Sequence, residues 1–453
     1  MRITHILCLF LISTTLWAQE NDSLPTVYLK EVEVKTSLEH IRNRVQALSV
    51  NIVGKDFLLQ ERSGSFVQTL EKLPGIHSIN IGAGFSKPSL RGMAFNRIAV
   101  VENGVKQEGQ QWGADHGLEI DAFNVEQVEI RKGPASLQYG SDAMGGVFEI
   151  KQVQPNFANG LFGELTLLGQ TNNNLWGISS ALGFKKNAWY GKIRFTEQHF
   201  GDYGVPTDTV TYLTYKIPIY DRKLKNTAGF ERNAHSQFSY RSSGYQAHFF
   251  ASNTFQRVGF FPGAHGVPDV ERVLPDESAR NIELPYSNVN HFKAQLLQLF
   301  DWDASRIEFN IAYQNNHRQE LSEFHTHYST QPIPAENPDL ELDFLIQTFS
   351  VSAKWKWNIS PKWNNTFGWD AQYQQNQVGG YGFLLPDFKR LVSGVYAVSN
   401  YDLSDKLKLE SGIRYDFGRI HTKAFSDDYL AQYLIDMHYS DDIISFYRQR
   451  SSE

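Results

Sequence analysis

Val125-Glu126-Gln127-Val128-Glu129-Ile130-Arg131-Lys132-Gly133-Pro134-Ala135-Ser136 leads into Tyr139-Gly140 and then Ala143-Met144-Gly145-Gly146-Val147. Apolar residues (Val125, Val128, Ile130, Val147, Ile150) come in short bursts, and each burst is fenced by glycine or proline. Glycine reaches φ > 0 without penalty and proline fixes φ near −65°, so the pattern is that of short strands joined by tight turns. Working outward, the same pattern recurs in Leu73-Pro74-Gly75-Ile76, Ser89-Leu90-Arg91-Gly92 and Val100-Val101-Glu102-Asn103-Gly104-Val105. Asn103-Gly104 between apolar residues is a two-residue hairpin signal. Lys55 to Leu73 carries Phe57, Leu58, Val67, Leu70 and Leu73 at helical spacing around a break at Ser63-Gly64. Together these predict a small, compact α+β domain. A glycine-rich soluble domain would account for any one fragment, but not for the ordered set.

Beyond Gly160 the pattern becomes strict alternation. Ile307, Phe309, Ile311 and Tyr313 alternate with Arg306, Glu308, Asn310 and Ala312. Trp363, Phe367, Trp369 and Tyr373 alternate with Asn364, Thr366, Asp370 and Gln372, and Leu407 to Phe417 repeats the theme. Period-2 apolarity with a charge or amide at every second residue describes a sheet with one apolar and one wet face. A soluble sandwich is the competing reading. The segments run about ten to thirteen residues, longer than the usual ~5–6. Short connections at 303–305, 359–361 and 403–405 alternate with long ones near 201–231, 256–289, 318–344 and 376–391. Short turns on one side and long loops on the other favour a membrane β-barrel. About eleven strands are expected, starting near 160, 174, 188, 232, 245, 290, 306, 345, 362, 392 and 406.

Composition agrees. Aromatic residues make up 13% of the 453-residue chain, although the mean hydropathy is −0.40. Many aromatics on a polar average suit a barrel whose lipid-facing residues alternate with wet ones. The formal charge of −6 offers no basic face for nucleic acid. Residues 1–18 read as a cleaved signal peptide: Arg2 and His5, an apolar run to Trp17, then Ala18 before polar Gln19-Glu20. Cys8, the one cysteine, lies inside it without the small-residue box of a lipoprotein, so no disulfide is expected. No later stretch is long and apolar enough for a membrane helix.

The ordered motif resembles the plug domain of TonB-dependent outer-membrane receptors. The resemblance rests on Pro74-Gly75, Arg91-Gly92, Asn103-Gly104, Gly133-Pro134, Tyr139-Gly140 and Gly145-Gly146. Asn103 stands where the family usually has Asp, and both residues tolerate such a turn. The resemblance implies a signal peptide (1–18), a linker (19–28), a plug domain (29–152) and the N-terminal half of an outer-membrane β-barrel (153–453), about 11 of about 22 strands. It implies location in the outer membrane of a Gram-negative bacterium, bathed by its lipid. The chain is expected to be an incomplete receptor, with an open half-barrel, the plug against its inner face and unpaired edges near 160 and 406. A second fragment would then supply the remaining strands. Leu29, Glu31, Val32 and Val34 resemble the segment that a TonB-type energy-coupling protein captures by strand addition. They would serve equally as the plug's first strand.

No catalytic constellation or nucleotide site appears, and no cofactor is expected; the family binds and passes ligands. Asp115 and His116 on the plug, His265 in one long loop, and His325 and His327 in another are candidate ligand or metal contacts. Imidazole with carboxylate suits Zn²⁺ or Cu²⁺, and histidine also ligates haem iron. Solvated loop histidines are the plainer reading, but Gln110 to His116 resembles a Trp-Gly-(any)-Asp-His stretch of some metal-type receptors. The expected function is energy-coupled uptake of a scarce nutrient: a metal ion, a chelate or siderophore, or haem. A glycan or peptide importer of the same architecture and a non-functional remnant are the alternatives. The plug argues against a porin.

Overall fold

The computed structural model describes residues 50–82, 84–109, 117–152, 159–212, 214–262, 271–276, 278–326, 329–404, 406–423 and 428–450. The signal peptide, the linker and the segment Leu29 to Val34 lie outside these residues.

The plug is built from β1 (Val50–Gly54), α1 (Lys55–Gln60), α2 (Phe66–Leu70), β2 (Ile76–Ile81), β3 (Phe85–Leu90), β4 (Ile98–Glu102), β5 (Val105–Lys106), β6 (Gln127–Arg131) and β7 (Gly146–Lys151). Five strands form a mixed sheet in the order β1-β6-β7-β4-β5, parallel only between β4 and β7. β2 and β3 make a separate hairpin. The helical segment divides at Ser63-Gly64, and α2 starts afresh with Ser65 as its cap, whose Oγ accepts from the Gln68 N–H at 3.3 Å. Leu70, Leu90, Val128, Ile130 and Phe148 are fully buried in the plug core, with Val125 and Ile150 beside them.

The wall is built from β8 (Gly160–Gln170), β9 (Leu175–Lys186), β10 (Trp189–Phe200), β13 (Gly229–Ser242), β14 (Tyr245–Gly259), β15 (Tyr286–Trp302), β16 (Ser305–Leu321), β17 (Leu340–Ser360), β18 (Trp363–Gly379), β19 (Phe388–Asp402) and β20 (Lys408–Thr422). These are the eleven expected strands, the largest offset being at β17, which starts at 340 and not 345. Each pairs antiparallel with the next, and β8 and β20 stand at the two ends of the order. The sheet is therefore an incomplete barrel. A further hairpin, β11 (Thr209–Tyr212) with β12 (Tyr215–Pro218), stands in the long loop after β10. The described chain ends in two helices, α3 (Asp428–Asp436) and α4 (Asp441–Arg450).

Alternation sorts the wall into two faces. On β16, Asn310, Ala312, Gln314, Asn316, Arg318 and Glu320 are buried, whereas Ile311 is 46% exposed on the outer face. Leu165, Leu167, Ile193, Phe249, Phe349 and Ile413 extend that exposed apolar face across the sheet. Near the short turns it ends in aromatics, among them Trp189 beside Tyr240, Tyr245 beside Phe300, and Trp363 beside Tyr401. Towards the long loops Trp176, His199, Phe230 and Phe255 form a second row. An apolar band between aromatic girdles is what a bilayer and its two interfaces select.

Candidate functional site

The plug's turns set where its polar groups meet the wall. Asn103 (φ 48°) and Gly104 (φ 85°) form the hairpin tip between β4 and β5. The Asn103 carbonyl accepts from Gln295 Nε2 at 2.8 Å and from Asn310 Nδ2 at 3.0 Å, both on the wall. Its side-chain Oδ1 accepts from the Gln152 N–H at 3.0 Å. An aspartate would offer the same acceptor, so the departure from the family pattern leaves this contact intact. At Gly146 (φ 140°) a Cβ would come within 2.5 Å of Leu90 Cδ2 and 2.7 Å of the Arg131 carbonyl, which leaves no room for a side chain. Pro74-Gly75 and Arg91-Gly92 occupy the turns on either side of the β2–β3 hairpin. Gly133 to Tyr139 is a 3₁₀ turn, and the Pro134 side chain lies outside the description.

That turn delivers Tyr139 to a charged cluster on β6 and β7. Tyr139 donates to Glu149 Oε2 at 2.8 Å, and Arg131 Nε donates to the same oxygen at 3.3 Å. Arg131 and Lys151 also hold Glu129, at 2.5 and 2.7 Å. Burial pushes the Glu149 carboxyl up, but the charges of Lys151 and Arg131 outweigh it and hold the group down at about 2. Gly140 and Gly145 frame the following turn, where the Gly145 N–H bonds the Arg97 carbonyl at 2.6 Å.

Most plug–wall contacts are polar. Lys293 on β15 donates to Glu102 and, at 2.9 Å, to Gln107 Oε1. Gln314 accepts from the Glu108 N–H at 3.1 Å and donates to the Lys106 carbonyl at 2.8 Å. Gln372 reaches Glu108 at 3.1 Å, Lys192 reaches Glu126 at 3.1 Å, and Lys55 reaches Glu164 at 2.8 Å. One apolar cluster interrupts this seam: Phe85 at the start of β3 is buried with Leu175, Phe200 and Val258, and stacks on Phe260 at 5.7 Å. Exchange with water leaves each neutral hydrogen bond worth about 0.5–1.5 kcal/mol net and each one to a charged group about 1.5–3 kcal/mol. A cavity in it, lined by Glu102, Gln107, Lys293 and Gln314, measures about 30 Å³. That is room for about one water and not for a nutrient.

Of the candidate ligand contacts, Asp115, His116, His265 and His327 lie outside the described residues. His325 lies in the loop after β16. Its Nε2 is 3.6 Å from Glu341 Oε1, and its Nδ1 lies 3.4 Å from the Tyr381 hydroxyl. Ser322 joins the group, donating to Glu341 Oε2 at 2.7 Å and lying 2.7 Å from the Tyr381 hydroxyl. Phe324 meets Tyr381 edge-on at 5.0 Å. The loops after β16 and β18 are thus tied together around His325. Among the described residues no cluster of three or more His, Cys, Asp or Glu is placed to hold a metal ion. Sequence reading missed Glu341 and Tyr381, whose proximity to His325 arises only when the loops meet. It also missed the buried pairs Glu119–His291 and Asp121–His235.

Residues 42–147 match the family model of the TonB-dependent Receptor Plug Domain. The chain is 34% identical over 145 residues to the vitamin B12 transporter BtuB of Vibrio vulnificus, a match covering 29% of this chain and 23% of that protein. It is 30% identical over 128 residues to a ferrioxamine B receptor of Salmonella typhimurium, covering 28% of this chain and 18% of that one. In fold it is similar to a ferric enterobactin receptor from Pseudomonas aeruginosa, with a TM-score of 0.64 at 13% identity over 83% of this chain and 58% of that chain. The matches thus span less than a quarter of the curated relatives and under three fifths of the solved receptor.

Proposed function

We propose, from a plug and a wall that are those of a TonB-dependent receptor, that this protein takes part in energy-coupled uptake of a scarce nutrient across the outer membrane. The observation that carries the reading is a polar-faced plug seated on the polar face of a sheet whose other face is apolar. Such a wall, once its two edge strands are paired, is stable in lipid, and such a plug closes the way through it until it is moved. The segment Leu29, Glu31, Val32 and Val34 is the part of the chain we assign to a TonB-type partner, captured by strand addition. β8 and β20 are the strands at which further wall strands, on this or a second polypeptide, would join.

For the ligand we favour a metal ion, a metal chelate or siderophore, or haem. His325 between Glu341 and Tyr381, at the loop end of the wall, supports this class. Asp115, His116, His265 and His327 are its proposed companions. The similar proteins include a vitamin B12 transporter and a ferrioxamine B receptor, and those ligands are carried over here as candidates of the same kind.

One experiment tests both halves, using cells that express the receptor with its wall completed and a panel of labelled Zn²⁺, Cu²⁺, haem and ferric siderophores. Val32→Pro removes a backbone donor and blocks strand pairing, so uptake should be lost while surface binding persists. His325→Ala should weaken surface binding itself. Unchanged uptake by Val32→Pro would reduce residues 29–34 to a plug strand. Unchanged binding by His325→Ala would remove the metal reading of the loop.

A further inference from the structure

Two arginines stand unsatisfied where the α1–α2 turn of the plug faces β10 of the wall. Arg62, in that turn, holds its guanidinium carbon 4.2 Å from the centre of the Phe123 ring. Arg194 projects from β10 into the seam, and its side chain is 0% exposed. A run of short contacts joins their surroundings. The Phe123 N–H donates to Asp121 Oδ1 at 2.9 Å, and Thr196 Oγ1 donates to Asp121 Oδ2 at 2.8 Å. Ser179 Oγ lies 2.8 Å from Thr196 Oγ1 and accepts from Arg194 Nη1 at 2.8 Å.

The remaining guanidinium nitrogens have no such partner. Arg62 Nε and Nη1 and Arg194 Nε and Nη2 are buried, with no hydrogen bond among the described residues. Arg194 Nη2 stands 3.2 Å from Glu164 Oε2 but out of hydrogen-bond alignment. The nearby carboxylates are engaged by other groups. Lys55 holds Glu164 at 2.8 Å, Lys192 holds Glu126 at 3.1 Å, and Asp121 takes Thr196 and the Phe123 N–H. Burial lowers the Arg62 pKa most; Asp121 and Glu164 raise it, the Arg194 charge lowers it, and the balance stays below the ordinary value. Arginine nevertheless remains charged, so two permanent cations share this part of the seam.

We propose that a small monovalent anion, the size of chloride, binds between Arg62 and Arg194 and straps the α1–α2 turn to β10.

The chemistry selects that class. Buried donors without a protein acceptor ordinarily bond to water or to an ion. Water would satisfy the N–H groups but leave two like charges facing each other in a poorly screened place, whereas an anion answers both needs. Asp121 and Glu164 stand close by, so a second negative charge on the ligand would be repelled, which disfavours phosphate and sulfate. Four N–H-bearing nitrogens from two planar forks suit a spherical acceptor, which accepts from any direction. Arg62 follows β1 and α1, the first described elements of the plug. The strap therefore holds the part of the plug that lies nearest in sequence to the segment 29–34.

Anomalous diffraction tests this on crystals of the receptor, with its wall completed, grown with bromide in place of chloride. Bromide should appear in contact with both guanidinium groups. Arg62→Met, which keeps an apolar stem over Phe123, should remove it. No bromide at that place in the unmodified receptor would overturn the proposal whatever the variant does. In solution, hydrogen exchange of peptides covering 58–68 should be roughly fivefold slower in chloride than in gluconate at equal ionic strength. Arg62→Met should exchange alike in the two salts. Bromide at the site together with equal exchange of the unmodified receptor in both salts would mark an adventitious ion only, and that also overturns the strap.

Discussion

Replacing Glu149 by glutamine removes one of the two carboxylates that Arg131 and Lys151 share, while Glu129 still holds both cations. Breaking a buried ion pair from one side costs about 3–5 kcal/mol where the remaining charge is left unpaired. With Glu129 retained, we expect Glu149→Gln to destabilise the plug by less, about 1–3 kcal/mol, read as earlier protease cutting between β6 and β7 in denaturant. The pH dependence has a definite sign. The folded carboxyl is held at about 2, below the ordinary glutamate value of about 4.3. Its contribution is therefore complete above about 4.3 and is lost as pH falls towards 2. The unmodified plug should weaken across that acid window, and Glu149→Gln should weaken less. At this scale the turn residues were legible in the sequence, because Asn103, Gly104 and Gly146 answer to local backbone geometry. Glu119, Asp121, His235 and His291 were not, because each is unremarkable until β13 and β15 are laid beside the plug.

The wall strands were read with starts displaced by at most five residues, since alternation is a property of each strand by itself. A lipid-facing position is accordingly the place to test an element. Ile311 lies in the middle of β16 with its side chain on the exposed face. Ile311→Arg should cost about 2–4 kcal/mol, the depth-dependent penalty for a charge at mid-bilayer. His317→Arg, on the same face but nearer the long loop, should cost much less. Comparing urea midpoints for membrane-inserted protein measures the difference, and equal midpoints would remove the membrane reading of this face. Elements that depend on tertiary contact were harder to read. Phe85 opens β3 because Leu175, Phe200 and Val258 bury it, residues far away in the sequence. The β11–β12 hairpin lies within the long connection at 201–231, and helices α3 and α4 follow the last expected strand; none of the three is among the elements expected from the sequence.

On the scale of the whole molecule, the wall and plug form one seam but the wall does not close. β8 pairs only with β9 and β20 only with β19 among the described strands. In hydrocarbon an unpaired backbone group costs several kcal/mol, so both edges require partners wherever this wall stands in a membrane. The plug lies against the inner face of that wall. Cysteine pairs test it, and the sequence's one cysteine, Cys8, leaves little background. Glu102 and Lys293 are ion-paired across the seam, whereas Phe292, the next residue along β15, is on the outer face and 37% exposed. In outer-membrane vesicles, a short bifunctional thiol reagent should bridge Glu102→Cys to Lys293→Cys and leave Glu102→Cys with Phe292→Cys unlinked. Equal linking of both pairs, or of neither, would contradict the seated plug.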